Sequence, residues 1–250
     1  MLWWRARRAL SAASGDVLAG ERVVRGNGIE RRRSPVLLLQ GFLATRRSLK
    51  GLERRLRRDA YGVLSLDLGG LAGRFNTRRI DELAVVVRDQ VERLYARHPG
   101  MEKLVVIGHS EGGLIATYWM KRLGGRRRVR AVLTLATPHR GTPLAWTLLP
   151  FAPLAPSILQ MTPGSRLVRA LDRGAWPAGV PLTSLYSRQD RVVPYPSALV
   201  DGRGHPEIRN VEVVGTHADF LLKNEIYRQM ARQLRLATRE AARAAARQAA

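Results

Sequence analysis

Apolar residues in this chain fall into short continuous runs that alternate with segments of helical spacing. The continuous runs predict buried strands at 35–39, 62–67, 104–107, 129–136, 181–186 and 211–214. Apolar residues three or four positions apart predict helices at 49–56, 80–95, 114–119 and about 219–236. This alternation predicts a mostly parallel central sheet with helices on both faces, an α/β fold. Ligands of such sheets bind beyond the carboxyl ends of the strands.

The same pattern predicts one main domain with two flanking segments. We expect the folded domain over 35–236, a basic amphipathic segment over 1–34 and an Ala/Arg-rich tail over 237–250. Residues at about 141–178 predict a small cap, because prolines interrupt a stretch rich in large apolar residues between two strands. Such a stretch is hard to explain as an exposed loop, so we expect it to cover an apolar pocket.

The composition adds a strong positive charge, with a formal net charge of +23 at pH 7. Two explanations stay open: attraction to an anionic partner such as a membrane surface, and a solvated surface in an arginine-biased chain. The basic residues are spread along the chain, which favours the second explanation and argues against nucleic acid as a partner. The chain has no cysteine, which excludes disulfides and thiolate metal sites.

Residues 1–20 predict a short amphipathic helix that either packs on the protein or rests on a membrane surface. Its arginines are not followed by a run of about 7–15 apolar residues, so a signal peptide is not indicated. No run of about 18 apolar residues predicts a membrane-spanning helix. We therefore expect a cytoplasmic or peripheral membrane location.

One predicted strand leads directly into a serine between two glycines. The run at 104–107 is followed by Gly-His-Ser-Glu-Gly at 108–112 and then by the helix pattern at 114–119. A strand, a tight Gly-x-Ser-x-Gly turn and a helix form the setting of a nucleophile elbow. The turn places Ser110 at the top of the sheet, where the helix dipole favours negative charge. Ser110 is therefore the candidate nucleophile, and His109 is expected to point away from it.

A serine hydroxyl needs a base to take its proton and a carboxylate to orient that base. After an elbow of this kind the order along the chain is serine, acid, histidine. His217 comes after the last predicted strand, and Asp190 comes after the strand before it. We expect His217 to be the base and Asp190 the orienting acid, with Asp201 as the rival acid.

Negative charge on the substrate oxygen needs two backbone N–H donors. We expect one donor from Glu111, directly after the serine, and the other from Phe42, in the loop after the first predicted strand. Gly41 would let this loop approach the serine closely.

These motifs resemble the α/β-hydrolase superfamily, and within it bacterial lipases and esterases of the triacylglycerol lipase type. The resemblance covers about residues 35–235. It rests on Leu-Leu-Leu-Gln-Gly-Phe at 37–42, Gly-His-Ser-Glu-Gly-Gly at 108–113, Ala-Thr-Pro-His-Arg-Gly-Thr-Pro at 136–143, Gln-Asp-Arg-Val-Val-Pro at 189–194 and Gly-Thr-His at 215–217. Gln40 departs from the family, which usually has histidine there, but the main-chain donor does not depend on that side chain.

The resemblance implies hydrolysis of carboxylic esters, with lipid or acyl esters as substrates, through an acyl-enzyme on Ser110. It implies no metal and no organic cofactor. Trp146, Leu149 and Phe151 in the cap are candidate substrate-binding residues, and helix packing is the alternative role for them. Acyl transfer or thioester cleavage by the same residues is an alternative function. A membrane-associated protein that keeps the fold without turnover is another.

Overall fold

Within the described part of the chain, seven strands form one central sheet. The computed structural model describes residues 23–24, 35–66, 68 and 77–249. The strands are β1 (Val23–Val24), β2 (Val36–Leu39), β3 (Val63–Leu66), β4 (Leu104–His109), β5 (Val129–Leu135), β6 (Leu182–Tyr186) and β7 (Ile208–Glu212). They lie in the order β1-β3-β2-β4-β5-β6-β7. Only the pairing of β1 with β3 is antiparallel, so the predicted mostly parallel sheet is confirmed.

Helices cover both faces of this sheet. In the described residues they are α1 (Lys50–Arg58), α2 (Ile80–Arg97), α3 (Glu111–Arg122), α4 (Leu144–Thr147), α5 (Ser157–Met161), α6 (Arg166–Arg173), α7 (Tyr195–Ala198), α8 (Asp219–Leu222) and α9 (Asn224–Ala249). Short 3-10 turns occur at Arg46–Leu49, Gly125–Arg127 and Leu149–Phe151. None of the helices in this part of the chain is long and apolar enough to cross a membrane.

The strands bury side chains on both faces and so create two core layers. On β2, Leu37 and Leu39 join the cluster formed with α2 and α3, whereas Val36 and Leu38 join the cluster formed with α1, α8 and α9. Successive side chains of a strand point to opposite faces, so a strand buried on both faces is a continuous apolar run. Full burial of such a side chain contributes about 1.5–3 kcal/mol. The two layers therefore support the strand ends from both sides.

The last strand differs from its prediction at 211–214. β7 comprises Ile208–Glu212 and lies at the edge of the sheet. Arg209 and Asn210 lie within it. Edge strands commonly carry polar and charged residues, so a search for apolar runs places this strand too late. His217 consequently lies five residues beyond the end of β7, in the loop before α8.

The C-terminal helix also differs from its prediction. Lys223 has an extended backbone and separates α8 from α9, which then continues to Ala249. The predicted end near residue 236 is too early, because alanine has the highest helix propensity and Ala237 and Ala241 are buried one turn apart. The predicted amphipathic helix at 1–20 lies outside the described residues. Val23–Val24 form a strand that the sequence did not predict.

The cap lies between β5 and β6 and comprises α4, the 3-10 turn after it, α5 and α6. Its buried residues join the core cluster of α2 and α3. Helices as short as α4 and α5 turn only part of their surface to the core. Five large apolar side chains of the cap are exposed: Leu144, Trp146, Phe151, Leu154 and Leu159.

Candidate active site

Ser110 occupies a strained turn between β4 and α3. Its backbone has φ 53° and ψ −125°, a region that residues with a side chain rarely adopt. Small neighbours make this turn possible. A Cβ atom on Gly108 would lie 2.5 Å from the nitrogen of Gly113, and one on Gly112 would lie 2.8 Å from the oxygen of Gln40. The turn holds Ser110 at the positive end of the α3 dipole.

The loop after β2 passes close to the serine. A Cβ atom on Gly41 would lie 2.8 Å from Cβ of Ser110 and 3.4 Å from its Oγ. The loop continues in a turn in which the N–H of Ala44 donates to the oxygen of Gly41 at 3.2 Å. Phe42 lies in this turn, next to Gly41, and Glu111 is the first residue of α3. This arrangement can direct two backbone N–H groups at one substrate oxygen.

His217 and Asp190 form a hydrogen-bonded pair, with Nδ1 and Oδ2 separated by 2.8 Å. The other carboxylate oxygen of Asp190 accepts from the N–H groups of Val192 and Val193 at 2.8 and 2.9 Å. Asp190 follows β6 and His217 follows β7, so the pair lies at the carboxyl ends of the parallel strands. Ser110 lies at the same side of the sheet, directly after β4. The structure thus brings the predicted acid and base together on the side of the predicted nucleophile.

Asp201, the rival acid, is engaged elsewhere. It is exposed and pairs with Arg203 at 2.7 Å. The hydrogen bond from Arg203 lowers the pKa of Asp201 to about 2. Its carboxylate therefore accepts from a surface arginine rather than from His217.

Ser187 joins the loops that carry Asp190 and His217. Its buried hydroxyl accepts from the N–H groups of Gln189 at 3.1 Å and Gly215 at 3.3 Å. Beyond Gly215, Thr216 donates its N–H and its hydroxyl to Asp219 at 2.8 and 2.9 Å. These bonds define the path of the chain on which His217 lies. Sequence reasoning missed Ser187, for which the position directly after β6 is the only signal.

His109, the residue before Ser110, contacts His217. The two ring centroids lie 4.8 Å apart, and Nε2 of His109 lies 3.3 Å from the main-chain oxygen of His217. This contact holds His217 beside the strand end that carries Ser110. In the described residues the Ser110 hydroxyl makes no hydrogen bond to His217. Catalytic hydrogen bonds often tighten only when substrate binds.

Glu111 places a carboxyl group beneath the elbow. The side chain is fully buried, and this burial raises its pKa to about 8, while the neighbouring Ser157 hydroxyl acts in the opposite direction. Ser157 is the first residue of α5 and is itself buried. The carboxyl group is therefore mostly neutral at pH 7.

The three predicted substrate-binding residues differ in their surroundings. Trp146 is 52% exposed and Phe151 is 58% exposed. Leu149 is half-buried and packs on the same core cluster as Phe42. The two aromatic rings are thus accessible to an apolar ligand, whereas Leu149 faces the protein interior.

The site consists of oxygen and nitrogen groups suited to proton transfer and nucleophilic attack. Across residues 35–66 and 77–249, no group of three or more histidine and carboxylate side chains is placed to hold a metal ion.

The chain is similar to known proteins that have this fold. The family model described as the alpha/beta hydrolase fold matches residues 34–168, more than half of the chain. The chain therefore belongs to the alpha/beta hydrolase fold family. Among solved structures, the mature form of lipase BlEst2 from Bacillus licheniformis superposes with a TM-score of 0.70 at 13% identity. The superposition covers 85% of this chain and 98% of that chain, and it supports the same fold.

Two curated relatives match shorter stretches. Lipase B from Pseudozyma antarctica is 38% identical over 105 residues, which are 41% of this chain and 30% of the relative. Methylesterase 10 from Arabidopsis thaliana is 30% identical over 96 residues, which are 38% of this chain and 34% of the relative. The chain thus spans about a third of the length of these curated relatives.

Proposed function

We propose that this protein hydrolyses carboxylic esters, with lipid or other acyl esters as the substrate class, through an acyl-enzyme on Ser110. The observation that carries the proposal is the His217–Asp190 pair, joined at 2.8 Å at the edge of the sheet that presents a serine in an elbow conformation. A nucleophile, a base and an orienting acid are what acyl transfer to a serine requires. The names of the relatives, a lipase and a methylesterase, support the ester class.

In the first half of the reaction, His217 takes the proton of the Ser110 hydroxyl through Nε2. The serine oxygen then bonds to the ester carbonyl carbon, and the resulting imidazolium donates its proton to the leaving alkoxide as the ester C–O bond breaks. Asp190 keeps the Nδ1–H side of the ring oriented and stabilises the imidazolium. In the second half, His217 deprotonates a water molecule, and the water oxygen bonds to the acyl carbon. The imidazolium then returns the proton to the Ser110 oxygen as the bond between this oxygen and the acyl carbon breaks, which releases the carboxylic acid.

The tetrahedral intermediates carry a negative oxygen that the protein must stabilise. The N–H groups of Glu111 and Phe42 are the proposed donors. The close approach of Gly41 to Ser110 and the position of Glu111 at the start of α3 support this assignment. Removing one such donor typically costs about 10²–10³-fold in kcat.

The apolar side chains of the cap support the proposal that the protein recognises an apolar acyl group of the substrate. Trp146 and Phe151 expose aromatic rings on it, and Leu149 packs on the core cluster shared with Phe42. The same exposed surface, in a chain with a formal net charge of +23, supports contact with an anionic lipid surface.

The proposal is tested with a panel of p-nitrophenyl esters that runs from acetate to octanoate. The purified full chain is compared with Ser110→Ala and with Ser48→Ala, a matched change of an exposed serine in the 3-10 turn before α1. We expect turnover in the wild type and in Ser48→Ala, and a loss on the order of 10⁴-fold or more in Ser110→Ala. Turnover in Ser110→Ala at the wild-type rate would refute the assignment of the nucleophile. Absence of turnover in the wild type on every ester would refute ester hydrolysis.

A further inference from the structure

His109 makes two separate contacts with the proposed base. Its ring lies 4.8 Å from the ring of His217 between centroids, with the planes tilted by 48°. Its Nε2 atom lies 3.3 Å from the main-chain oxygen of His217. A carbonyl oxygen can only accept, so this contact requires the proton on Nε2 of His109. The residue directly before the nucleophile thus donates to the backbone of the residue that must activate it.

The His109 ring is uncharged in this environment. Burial lowers the pKa of His109 to about 3, and the neighbouring charge of His217 acts in the same direction, whereas Asp190 and the hydrogen bond to the His217 carbonyl act against it. A neutral ring does not repel the imidazolium that His217 becomes when it takes the serine proton. His109 can therefore lie against the base without opposing the proton transfer.

The two ends of His217 are held from different parts of the fold. Asp190 holds its ring through Nδ1 at 2.8 Å. His109 holds its main chain, and His109 is the last residue of β4, a strand paired on both sides within the sheet. Because His109 and Ser110 are consecutive, a bond from His109 to the carbonyl of His217 sets the position of the base relative to the nucleophile.

We propose that His109 is a positioning residue for His217, and that the hydrogen bond from its Nε2–H to the His217 carbonyl keeps the base within reach of the Ser110 hydroxyl. This role rests on the proposed esterase function. It goes beyond that function because it assigns a second histidine to the site and gives it a task that needs no contact with the substrate.

The test compares two variants that separate the ring from the donor. His109→Phe keeps an aromatic ring and removes the N–H, whereas His109→Gln removes the ring and keeps an N–H near the position of Nε2. His205→Phe, in the loop before β7, is the matched control. With p-nitrophenyl butyrate we expect His109→Phe to lower kcat about tenfold or more, with KM within about twofold, because misplacing a catalytic group costs rate rather than binding. His109→Gln should recover most of the loss, and His205→Phe should match the wild type.

A purely structural role would give a different result. Wild-type kcat in His109→Phe would overturn the proposal, and so would equal losses of kcat in His109→Phe and His109→Gln, because the donor would then not matter. One measurement needs no variant. The ¹⁵N spectrum of the wild-type protein with labelled histidine should show His109 with its proton on Nε2 between pH 5 and 9. A proton on Nδ1 alone would remove the donor and overturn the proposal.

The same data distinguish this proposal from the proposed function. A wild-type protein without esterase turnover would refute the function, and the tautomer of His109 would still decide whether the donor exists. An active wild type with an unaffected His109→Phe variant would keep the function and reject the positioning role.

Discussion

Nδ1 of His217 and Oδ2 of Asp190 lie 2.8 Å apart, although the two residues are carried by loops after different strands. β6 and β7 are parallel neighbours, so their carboxyl ends meet at one edge of the sheet and bring these loops together. Two backbone N–H groups hold the second oxygen of Asp190. The carboxylate can therefore fix both the tautomer and the orientation of the imidazole.

Asp190→Asn should lose most esterase activity and keep its fold. The amide can donate as well as accept, so it no longer selects the tautomer of His217 or stabilises its charged form, and we expect kcat to fall on the order of 10⁴-fold. Asp201→Asn is the matched control, because Asp201 pairs with Arg203 on the surface, and its rate should stay within about twofold. Initial rates with p-nitrophenyl butyrate measure both. The opposite ranking would show that Asp201 is the acid.

Gly41→Ala should reduce activity far more than stability. The new Cβ atom would lie 2.8 Å from Cβ of Ser110 and 3.2 Å from the main-chain oxygen of His109, so the loop that carries Phe42 must move away from Ser110. We expect a loss of kcat of about 10²-fold, the size of the effect of a lost oxyanion donor. Gly100→Ala is the control, because nothing lies within 4 Å of a Cβ atom there. Equal rates in both variants would exclude Phe42 as a donor.

Glu111→Gln should stabilise the protein in a pH-dependent way. The folded state holds the carboxyl group of Glu111 at a pKa of about 8 against an ordinary value of 4.5. Below about pH 4.5 the group is protonated in both states and costs no stability. Between 4.5 and 8 the unfolded chain releases a proton that the folded state retains, so the fold loses stability as the pH rises.

The glutamine side chain does not titrate, so the variant does not lose stability in this way as the pH rises. Its advantage in the free energy of unfolding should be near zero at pH 4 and should grow by up to about 1.4 kcal/mol per pH unit towards pH 8. Denaturant titrations at several pH values measure it. Glu82→Gln, a half-exposed carboxylate at the start of α2, should change stability by less than about 0.5 kcal/mol. A Glu111→Gln advantage that is independent of pH would show that the carboxyl group is not held neutral.

The cap should make activity depend on acyl-chain length. Each methylene buried by the substrate contributes up to about 0.8 kcal/mol, so medium-chain esters should exceed acetate in kcat/KM by roughly tenfold or more. Trp146→Ala and Phe151→Ala should reduce this gain and leave acetate turnover nearly unchanged. Leu236→Ala, an apolar side chain exposed on α9, is the control. A flat chain-length profile would argue for a small, non-lipid ester as substrate.

The elements that place the site could be predicted because their signals are local. Strands buried on both faces are continuous apolar runs, and the glycines beside Ser110 mark a turn that leaves no room for a Cβ atom. The positions of Asp190 and His217 followed from chain order and from the carboxyl ends of the strands. The structure brings these two side chains into contact without any signal for that distance in the sequence itself.

Features that depend on packing across the sheet could not be predicted. The contact of His109 with His217 joins residues far apart in sequence, and the hydroxyl of Ser187 bridges two loops whose separation only the fold defines. The predicted position of the edge strand β7 is too late in the chain, because the strand contains polar residues and does not form a continuous apolar run. The exposure of Trp146 and Phe151 depends on which sides of short helices meet the core, and hydrophobicity alone does not reveal that.

Covalent labelling of Ser110 tests the central claim most directly. A fluorophosphonate reacts with a serine only when a base activates it, and it leaves a stable phosphonyl group on the oxygen. We expect one adduct per wild-type chain by intact mass, located on Ser110 by peptide mapping. The Ser110→Ala variant should form no adduct, and the His217→Ala variant should form it at a strongly reduced rate. An active esterase that carries the label on another residue, or that takes up no label, would contradict the acyl-enzyme on Ser110.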